Sequence, residues 1–248
     1  MDQHDAHCEL RRQISAPLKS GEFSDLTFLC EGQRIPAHRI IVCPQSPVIQ
    51  AACTGSYKEQ ETGVYEIKDV SFDVVRQMVE YLYTGRYQVP SSQDSDDKKQ
   101  NAVLPLVFHA RMVDVADTYI IKGLKSLSMA NFKKSARRDP DDCAFLRSIV
   151  DIYSLQCESS QVLRDIVVES VRERLARCLD FSKDGLLYEI TKQVPSFCHD
   201  LIGSLFSKPM LGYCTRCGPE KLVEVVPLHC GCKNCEGFAS TLAEQRSL

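Results

Sequence analysis

The chain lacks a strong charge of either sign. Its 248 residues include 30 Lys and Arg against 33 Asp and Glu, which gives a formal net charge of −3 at pH 7. Proteins that hold nucleic acid or acidic membranes by electrostatic attraction carry a marked basic excess. The composition therefore argues against both classes of partner.

Long apolar runs are missing as well. No uninterrupted stretch approaches the ~18 apolar residues that a membrane-spanning helix requires. The segment Met1 to Cys8 has neither the basic region nor the apolar core of a signal peptide. Most of the 13 cysteines are scattered singly, and their number is odd, which fits a reducing compartment. We therefore expect a protein of the cytoplasm, the nucleus or both, without contact with a membrane.

What the chain does have is a dense cysteine cluster near its C-terminus. Within a 22-residue window stand six side chains that can bind metal: Cys214, Cys217, His229, Cys230, Cys232 and Cys235. Two Cys-x-x-Cys pairs at this separation supply the four thiolates of a tetrahedral site, for which zinc is the preferred ion. We predict one structural zinc on Cys214, Cys217, Cys232 and Cys235, with Cys230 and His229 as alternates.

Two other interpretations of the cluster were compared with the structural zinc site. A redox Cys-x-x-Cys pair stands singly at the start of a helix, whereas two pairs recur here and Gly218 follows the first. Zinc modules that bind nucleic acid carry a basic footprint, but five basic and four acidic residues follow position 207. A structural zinc module is therefore favoured, and nucleic acid is not expected as a partner.

Hydrophobic periodicity predicts a mixed first half of the chain. The predicted strands cover residues 26–30, 33–36 and 64–67, and the predicted helices cover 48–53, 72–84, 104–117 and 120–135. Ser71 stands at the N-cap position of the clearest helix, and Gly85 can end it in the left-handed conformation. Residues 90–101 contain no aliphatic side chain and are predicted to form a solvated insert.

The second half reads as helical up to the cysteine cluster. The segment Asp139-Pro-Asp-Asp142 is typical of a helix start, with acid at the positive end of the helix dipole. Helices are predicted over 143–155 and 161–178, with Arg172 on the solvent face of the second, and residues 181–206 form a looser stretch. Near the N-terminus, Leu10, Ile14 and Leu18 are spaced four apart, which indicates a short amphipathic helix.

An ordered series of landmarks in the first half resembles the BTB/POZ domain family. The landmarks are Ser24-Asp25-Leu-Thr-Phe-Leu, Ile35-Pro-Ala-His38-Arg39-Ile-Ile, Ser46-Pro47-Val-Ile, Tyr57-Lys58-Glu59, Tyr65-Glu-Ile-Lys-Asp-Val70, Tyr81-Leu-Tyr-Thr-Gly85-Arg-Tyr87, Val115-Ala-Asp117-Thr-Tyr119 and Gly123-Leu124. The rest resembles the C-terminal half of fungal BTB proteins, in which a helical extension ends in a cysteine cluster.

The resemblance implies an α+β fold and a modular chain. The expected parts are an N-terminal tail (1–22), a BTB/POZ-like domain (23–135), a helical extension (139–206) and the cysteine module (210–238). The family implies an interaction scaffold that binds protein partners and has no catalysis of its own. It also implies homodimers, in which Leu10 and Ile14 would pack across a two-fold interface.

Two constellations bear on function. Asp25 and His38 could be two members of a catalytic triad, with Ser46 or Cys43 as the nucleophile. However, no glycine-rich elbow surrounds Ser46, and a proline follows it. In the resembled family this aspartate and histidine instead hydrogen-bond the hairpin to the first helix. We therefore expect no enzymatic activity.

The second constellation is Tyr57-Lys58-Glu59. In BTB adaptors of cullin-type ubiquitin ligases, a hydrophobic-x-Glu triplet follows the helix that docks on the cullin. Here Tyr57 would be the apolar anchor and Glu59 the charged partner, although Ala51-Ala52 replaces the bulky residues often found just upstream. The alternative is a solvated charged turn, in which case the chain is a self-associating scaffold or a transcription-related factor without a ligase role.

Overall fold

A computed structural model describes residues 13, 17–18, 20–90, 104–138, 141–175, 185–207, 210–214 and 218–225. The chain divides into two compact units. The first contains the residues up to Phe132 together with Gln156–Ser159, and the second contains Lys133–Leu155 and the residues from Ser160 onward. The predicted helix with Leu10 and Ile14 and most of the predicted insert lie outside the described residues.

A three-stranded sheet organises the first unit, and the sequence predicted all three strands. They are β1 (Leu26–Cys30), β2 (Gln33–Ala37) and β3 (Val64–Ile67), in the order β2-β1-β3. β1 and β2 form an antiparallel hairpin, because Glu31 and Gly32 both have positive φ and so make the tight turn that hairpins favour. β3 runs parallel to β1 and returns after the helices that follow the hairpin.

Six helices and one 3₁₀ turn complete the described part of the first unit. They are α1 (Arg39–Val42), the 3₁₀ turn Cys43–Gln45, α2 (Pro47–Thr54), α3 (Lys58–Thr62), α4 (Phe72–Thr84), α5 (Pro105–Thr118) and α6 (Lys122–Arg138), the last of which continues into the second unit. The predicted helices over 48–53, 72–84, 104–117 and 120–135 are confirmed within a few residues. The helix α3 was not predicted, because its sequence has no apolar stripe.

Both ends of α4 test the predicted capping. Gly85 has φ +70° and ends the helix in the left-handed conformation, as predicted. Ser71 occupies the N-cap position, but its side chain makes no capping hydrogen bond. The carboxylate of Glu31 accepts from the Phe72 N–H at 2.9 Å instead. The first helical amide is therefore satisfied from the hairpin turn rather than from the local sequence.

One hydrophobic core joins the sheet to the helices of the first unit. Leu26, Phe28 and Cys30 alternate inward along β1 and meet the fully buried Val75 and Met78 of α4. Since Phe28 has no exposed surface, truncating it would remove contacts on all sides, at a cost of about 3–5 kcal/mol. The core fixes the surface loops that the first unit presents.

Residues 156–159 are tied to the first unit by a buried carboxylate. Asp117 accepts from the Ser159 N–H at 2.8 Å and pairs with the Lys125 ammonium at 2.7 Å. Burial by itself would raise the pKa of Asp117, but the hydrogen bonds from Lys125 and Ser159 outweigh it and hold the pKa below its ordinary value. The ionised form of Asp117 is therefore the one that the fold stabilises.

The described part of the second unit holds four further helices and a hairpin. The helices are α7 (Asp142–Ser154), α8 (Ser160–Leu175), α9 (Leu186–Gln193) and α10 (Pro195–Ser207). The predicted start of α7 is confirmed, since the Asp141 carboxylate accepts from the N–H groups of Cys143 and Ala144 at 2.9 and 3.0 Å. No described helix is long and apolar enough to cross a membrane.

Two predictions for this unit were wrong. Residues 181–206 are not a loose stretch, because α9 and α10 occupy most of it and bury Phe197 and Leu201. The break at Val194-Pro195 leaves two helices, of which α9 is too short for a clear periodic pattern. Arg172 does not face solvent but is 4% exposed, with Nη1 at 3.4 Å from the Glu169 carboxylate. Since α7 and α10 both pack on α8, its buried stripe is wider than one face.

A two-stranded antiparallel hairpin follows α10 where the sequence predicted only a metal knuckle. It consists of β4 (Met210–Cys214) and β5 (Gly218–Val225). Cys214 pairs with Gly218, and the register shifts between Tyr213 and Cys214. Cys214, the first residue of the first predicted cysteine pair, is therefore the last residue of β4.

Candidate protein-docking surface

Asp25 holds the start of the β1–β2 hairpin to α1, as the resemblance implied, whereas His38 links the end of the hairpin to α4 and to the segment before β1. The Asp25 carboxylate accepts from the Arg39 N–H at 2.7 Å. His38 Nε2 lies 2.8 Å from the Glu22 carbonyl, which can only accept, so this nitrogen carries the proton. Nδ1 lies 2.6 Å from the Tyr83 hydroxyl, and that oxygen accepts from the His38 backbone N–H at 2.8 Å. Both residues therefore have a structural role.

The two candidate nucleophiles are also engaged in the fold. The Ser46 hydroxyl donates to the Tyr119 carbonyl at 2.6 Å and accepts from the Ile49 N–H at 3.2 Å, and the residue is fully buried. It therefore has no proton to give to a base. Burial, reinforced by the neighbouring Cys53, raises the pKa of Cys43 to about 11, which keeps that thiol protonated. These contacts account for the triad-type residues without catalysis.

The Tyr57-Lys58-Glu59 triplet borders an open cleft of about 540 Å³, which we call the docking cleft. Four parts of the first unit line it, namely α2 with the segment that follows it, α3, β3, and the link between α5 and α6. The lining residues are Pro47, Val48, Ala51, Ala52, Tyr57, Glu59, Tyr65, Glu66 and Ile120. Most of the wall is apolar, and the two carboxylates give it an acidic side.

Tyr57 stands at the rim of the docking cleft with 61% of its surface exposed. It occupies the N-cap position of α3 in an extended conformation, so the chain turns at this residue. Its ring lies against Gly55, where an added Cβ would come within 2.8 Å of two ring carbons and 2.7 Å of the Ala51 carbonyl oxygen. The absence of a side chain at position 55 is therefore what allows the ring to lie there.

Glu59 provides a carboxylate next to this exposed ring. Burial raises the pKa of Tyr65, and the negative charge of Glu59 raises it further, which places Glu59 close to the cleft wall. Glu66 is paired loosely with Lys68 at 3.7 Å. Among the described residues, none forms an ion pair with the Glu59 carboxylate. An unpaired carboxylate beside an exposed aromatic ring suits a partner that presents a basic side chain next to an apolar one.

Sequence reasoning found Tyr57 and Glu59 but missed the opposite wall. Ile120 is 48% exposed and has φ +55°, whereas the adjacent Ile121 is buried. Nothing in the pair Ile120-Ile121 distinguishes the two side chains, and the unusual backbone conformation decides which one faces the cleft. The triplet is also not a plain turn, because Lys58 begins the helix α3.

The predicted zinc ligands fall mostly outside the described residues. Cys214 ends β4, while Cys217, His229, Cys230, Cys232 and Cys235 are not among the residues that the structure describes. Within the described part of the chain, no group of three or more His, Cys, Asp or Glu side chains is arranged to hold a metal ion. The zinc site therefore stays a prediction.

Comparisons with known proteins bear on the first unit. The family profile described as "BTB/POZ domain" matches residues 14–122. The "ARM repeat protein interacting with ABF2" of Arabidopsis thaliana is 27% identical over 138 residues, which cover 56% of this chain and 16% of that protein. Kelch-like protein 2 of Mus musculus is 27% identical over 130 residues, which cover 52% of this chain and 19% of that protein. The chain thus spans less than a fifth of these relatives.

A solved structure was also compared. The BTB domain of human gigaxonin aligns with 52% of this chain and 92% of its own length, at 21% identity and a TM-score of 0.38. The segment that matches the family profile contains the β2-β1-β3 sheet and most of its flanking helices. Residues 14–122 of this chain are similar to the BTB/POZ domain family.

Proposed function

We propose that this chain is a non-enzymatic protein-interaction scaffold and that its BTB/POZ domain is a substrate adaptor that docks a cullin-type ubiquitin ligase scaffold. The observation that supports this most directly is the exposed Tyr57 beside Glu59, which forms no ion pair with any described residue, at the rim of an apolar cleft. The relatives of this chain include Kelch-like protein 2 of Mus musculus and the "Armadillo BTB Arabidopsis protein 1".

The cleft favours a partner segment of defined chemistry. Val48, Ala51, Ala52 and Ile120 offer apolar surface that gains free energy when it is removed from water. Because Ala51 and Ala52 are small, the partner has to contribute the larger side chain. Glu59 then pairs with a basic group beside it, and this pair gains strength as the contact excludes water.

Titration calorimetry with a purified cullin N-terminal domain tests the proposal. Losing a buried anchor or a paired charge typically costs ~2 kcal/mol or more, so Tyr57→Ala and Glu59→Ala should each weaken binding by at least about 30-fold. Glu61→Ala is the matched control, since Glu61 is exposed on the same helix but does not line the cleft. The proposal fails if wild-type protein gives no heat at tens of micromolar, or if both cleft variants bind like wild type.

The second candidate function is a self-associating scaffold or transcription-related factor without a ligase role. A separate surface of the first unit favours self-association. Phe23 is 90% exposed and Ile40 is 81% exposed, although both are large apolar side chains. The hydrogen bond between His38 and the Glu22 carbonyl brings their two chain segments close together. A homodimer formed through this region, with Leu10 and Ile14 contributing, would cover both.

We further propose that the C-terminal module binds one structural zinc through Cys214, Cys217, Cys232 and Cys235, with Cys230 and His229 as alternates. Two observations support it: the Cys-x-x-Cys spacing, and the pairing of Cys214 with Gly218 across the β4–β5 hairpin. Since β4 and β5 are adjacent there, the chain reverses between these residues, as a metal knuckle requires. In this proposal the helical extension and the module present the substrate, and their resemblance to fungal proteins stays a prediction.

A further inference from the structure

The helix α3, which carries Glu59, has no hydrophobic anchor of its own. It is only five residues long, and none of its residues is buried. An isolated helix of this length is unstable in water, because the cost of nucleation exceeds the gain from so few hydrogen bonds. The orientation of Glu59, and of Tyr57 just before it, must therefore be fixed by contacts from elsewhere in the first unit.

The side chain of Arg39 makes those contacts. Its Nη2 donates to the carbonyls of Gln60 at 3.1 Å and Glu59 at 3.3 Å, both in α3. Its Nη1 lies 3.5 Å from the carbonyl of Cys53, in the last turn of α2. One guanidinium thus links the end of the helix that walls the docking cleft to the helix that carries Glu59.

The backbone of Arg39 is itself held in place by a hydrogen bond. Arg39 is the first residue of α1, and its N–H donates to the Asp25 carboxylate at 2.7 Å. A guanidinium suits this task because its donors are coplanar and can reach several carbonyls at once, whereas a lysine ammonium acts as a point charge on a flexible stem. A positive charge near carbonyls at a helix end is also favourable.

We propose that Arg39 is a positioning residue for the docking cleft: it orders α3 against the end of α2 and so presents Tyr57 and Glu59 to the partner. Arg39 does not line the cleft and would not touch the partner. The effect of Arg39 on partner binding rests on the proposed docking function. The ordering of α3 by Arg39 can be measured without any partner.

Hydrogen exchange on the full chain tests the ordering. In Arg39→Met the amides of Gln60 and Gly63, which are bonded within and at the end of α3, should exchange about tenfold faster or more, since a hydrogen bond to a charged group is lost. Amides of β1 and α4 should keep their protection. Arg39→Lys keeps the charge and the backbone bond to Asp25. Its exchange rates at Gln60 and Gly63 should lie between those of wild type and Arg39→Met. Arg34→Met, at an exposed position of β2, is the matched control.

Binding of the cullin N-terminal domain tests the consequence. Arg39→Met should weaken binding about tenfold in the wild-type background and much less in a Glu59→Ala background, because the two residues act through one contact. Additive effects, or unchanged exchange of α3 in both Arg39 variants, would overturn the assignment. If wild-type protein does not bind the cullin domain but α3 loosens as expected, the docking proposal fails while the role of Arg39 in ordering α3 stands.

Discussion

A partly buried histidine, His109, makes the stability of the first unit sensitive to mild acid. His109 Nδ1 lies 2.8 Å from the Tyr87 hydroxyl, and the Asn131 side-chain amide donates to the same hydroxyl at 3.1 Å. The hydroxyl therefore accepts from Asn131 and donates to a neutral His109. Burial lowers the pKa of His109 from 6.5 to about 4, since the charged ring would lose its hydration.

The sign of the effect follows from linkage. The unfolded chain binds a proton on His109 near pH 6.5, whereas the folded chain resists it until about pH 4. The contribution of neutral His109 to the free energy of unfolding is therefore complete above pH 6.5. It is lost as the pH falls from 6.5 towards 4. Each pKa unit between the folded and the unfolded chain corresponds to ~1.4 kcal/mol. The full pKa shift therefore sets the upper limit of the stability that can be lost. Because the ring is only partly buried, we expect a loss of about 2 kcal/mol between pH 7 and pH 4.5.

Urea unfolding of wild type and His109→Gln at both pH values measures this term. The glutamine does not titrate, so the variant should lose about 2 kcal/mol less than wild type on acidification, while all other groups cancel in the difference. His199→Gln, the same replacement at an exposed histidine of α10, is the control. Equal acid sensitivity of wild type and His109→Gln would refute the reasoning.

Three further predictions concern the C-terminal module and association. Elemental analysis should find about one zinc per chain, and Cys214→Ser or Cys235→Ser should remove it; a full zinc content in both variants would mean that other residues are the ligands. A chelator should reduce the structure of the C-terminal module and leave most of the helical circular dichroism, whereas complete unfolding would contradict a separate module. Light scattering should show a dimer at micromolar concentration that replacement of Leu10 and Ile14 by Asp splits, and a wild-type monomer would exclude this interface.

The sequence located the parts of the fold whose signals are local. The helix Phe72–Thr84 was predicted with its final Gly85, because an apolar stripe and a left-handed stop lie within one short segment. Asp141 could be recognised as a helix start for the same reason. Local signals gave wrong predictions where a residue distant in sequence made the contact. The first amide of α4, for example, is bonded by Glu31 and not by the adjacent Ser71.

The candidate site also contains residues that local sequence signals predicted and residues that they missed. The triplet itself gave Tyr57 and Glu59, because their residue types and spacing carry the resemblance. Ile120, on the far wall of the cleft, is more than sixty positions away from Glu59 in sequence, and its exposure depends on one backbone angle. The link from Arg39 to the carbonyls of Gln60 and Cys53 has no sequence signature, since a backbone carbonyl is the same at every residue.

By itself the sequence determined the class of fold, the three strands and the longer helices of the first unit, and the residue types that favour docking and metal binding. These follow from periodicity, turn chemistry and spacing, which act over a few residues. The tertiary structure alone decided that α3 is held by Arg39, that Arg172 is buried, and that Tyr57, Glu59 and Ile120 share one cleft. The physical reason is that burial and hydrogen-bond partners are properties of the packed chain, and distant segments acquire them only when the core brings them together.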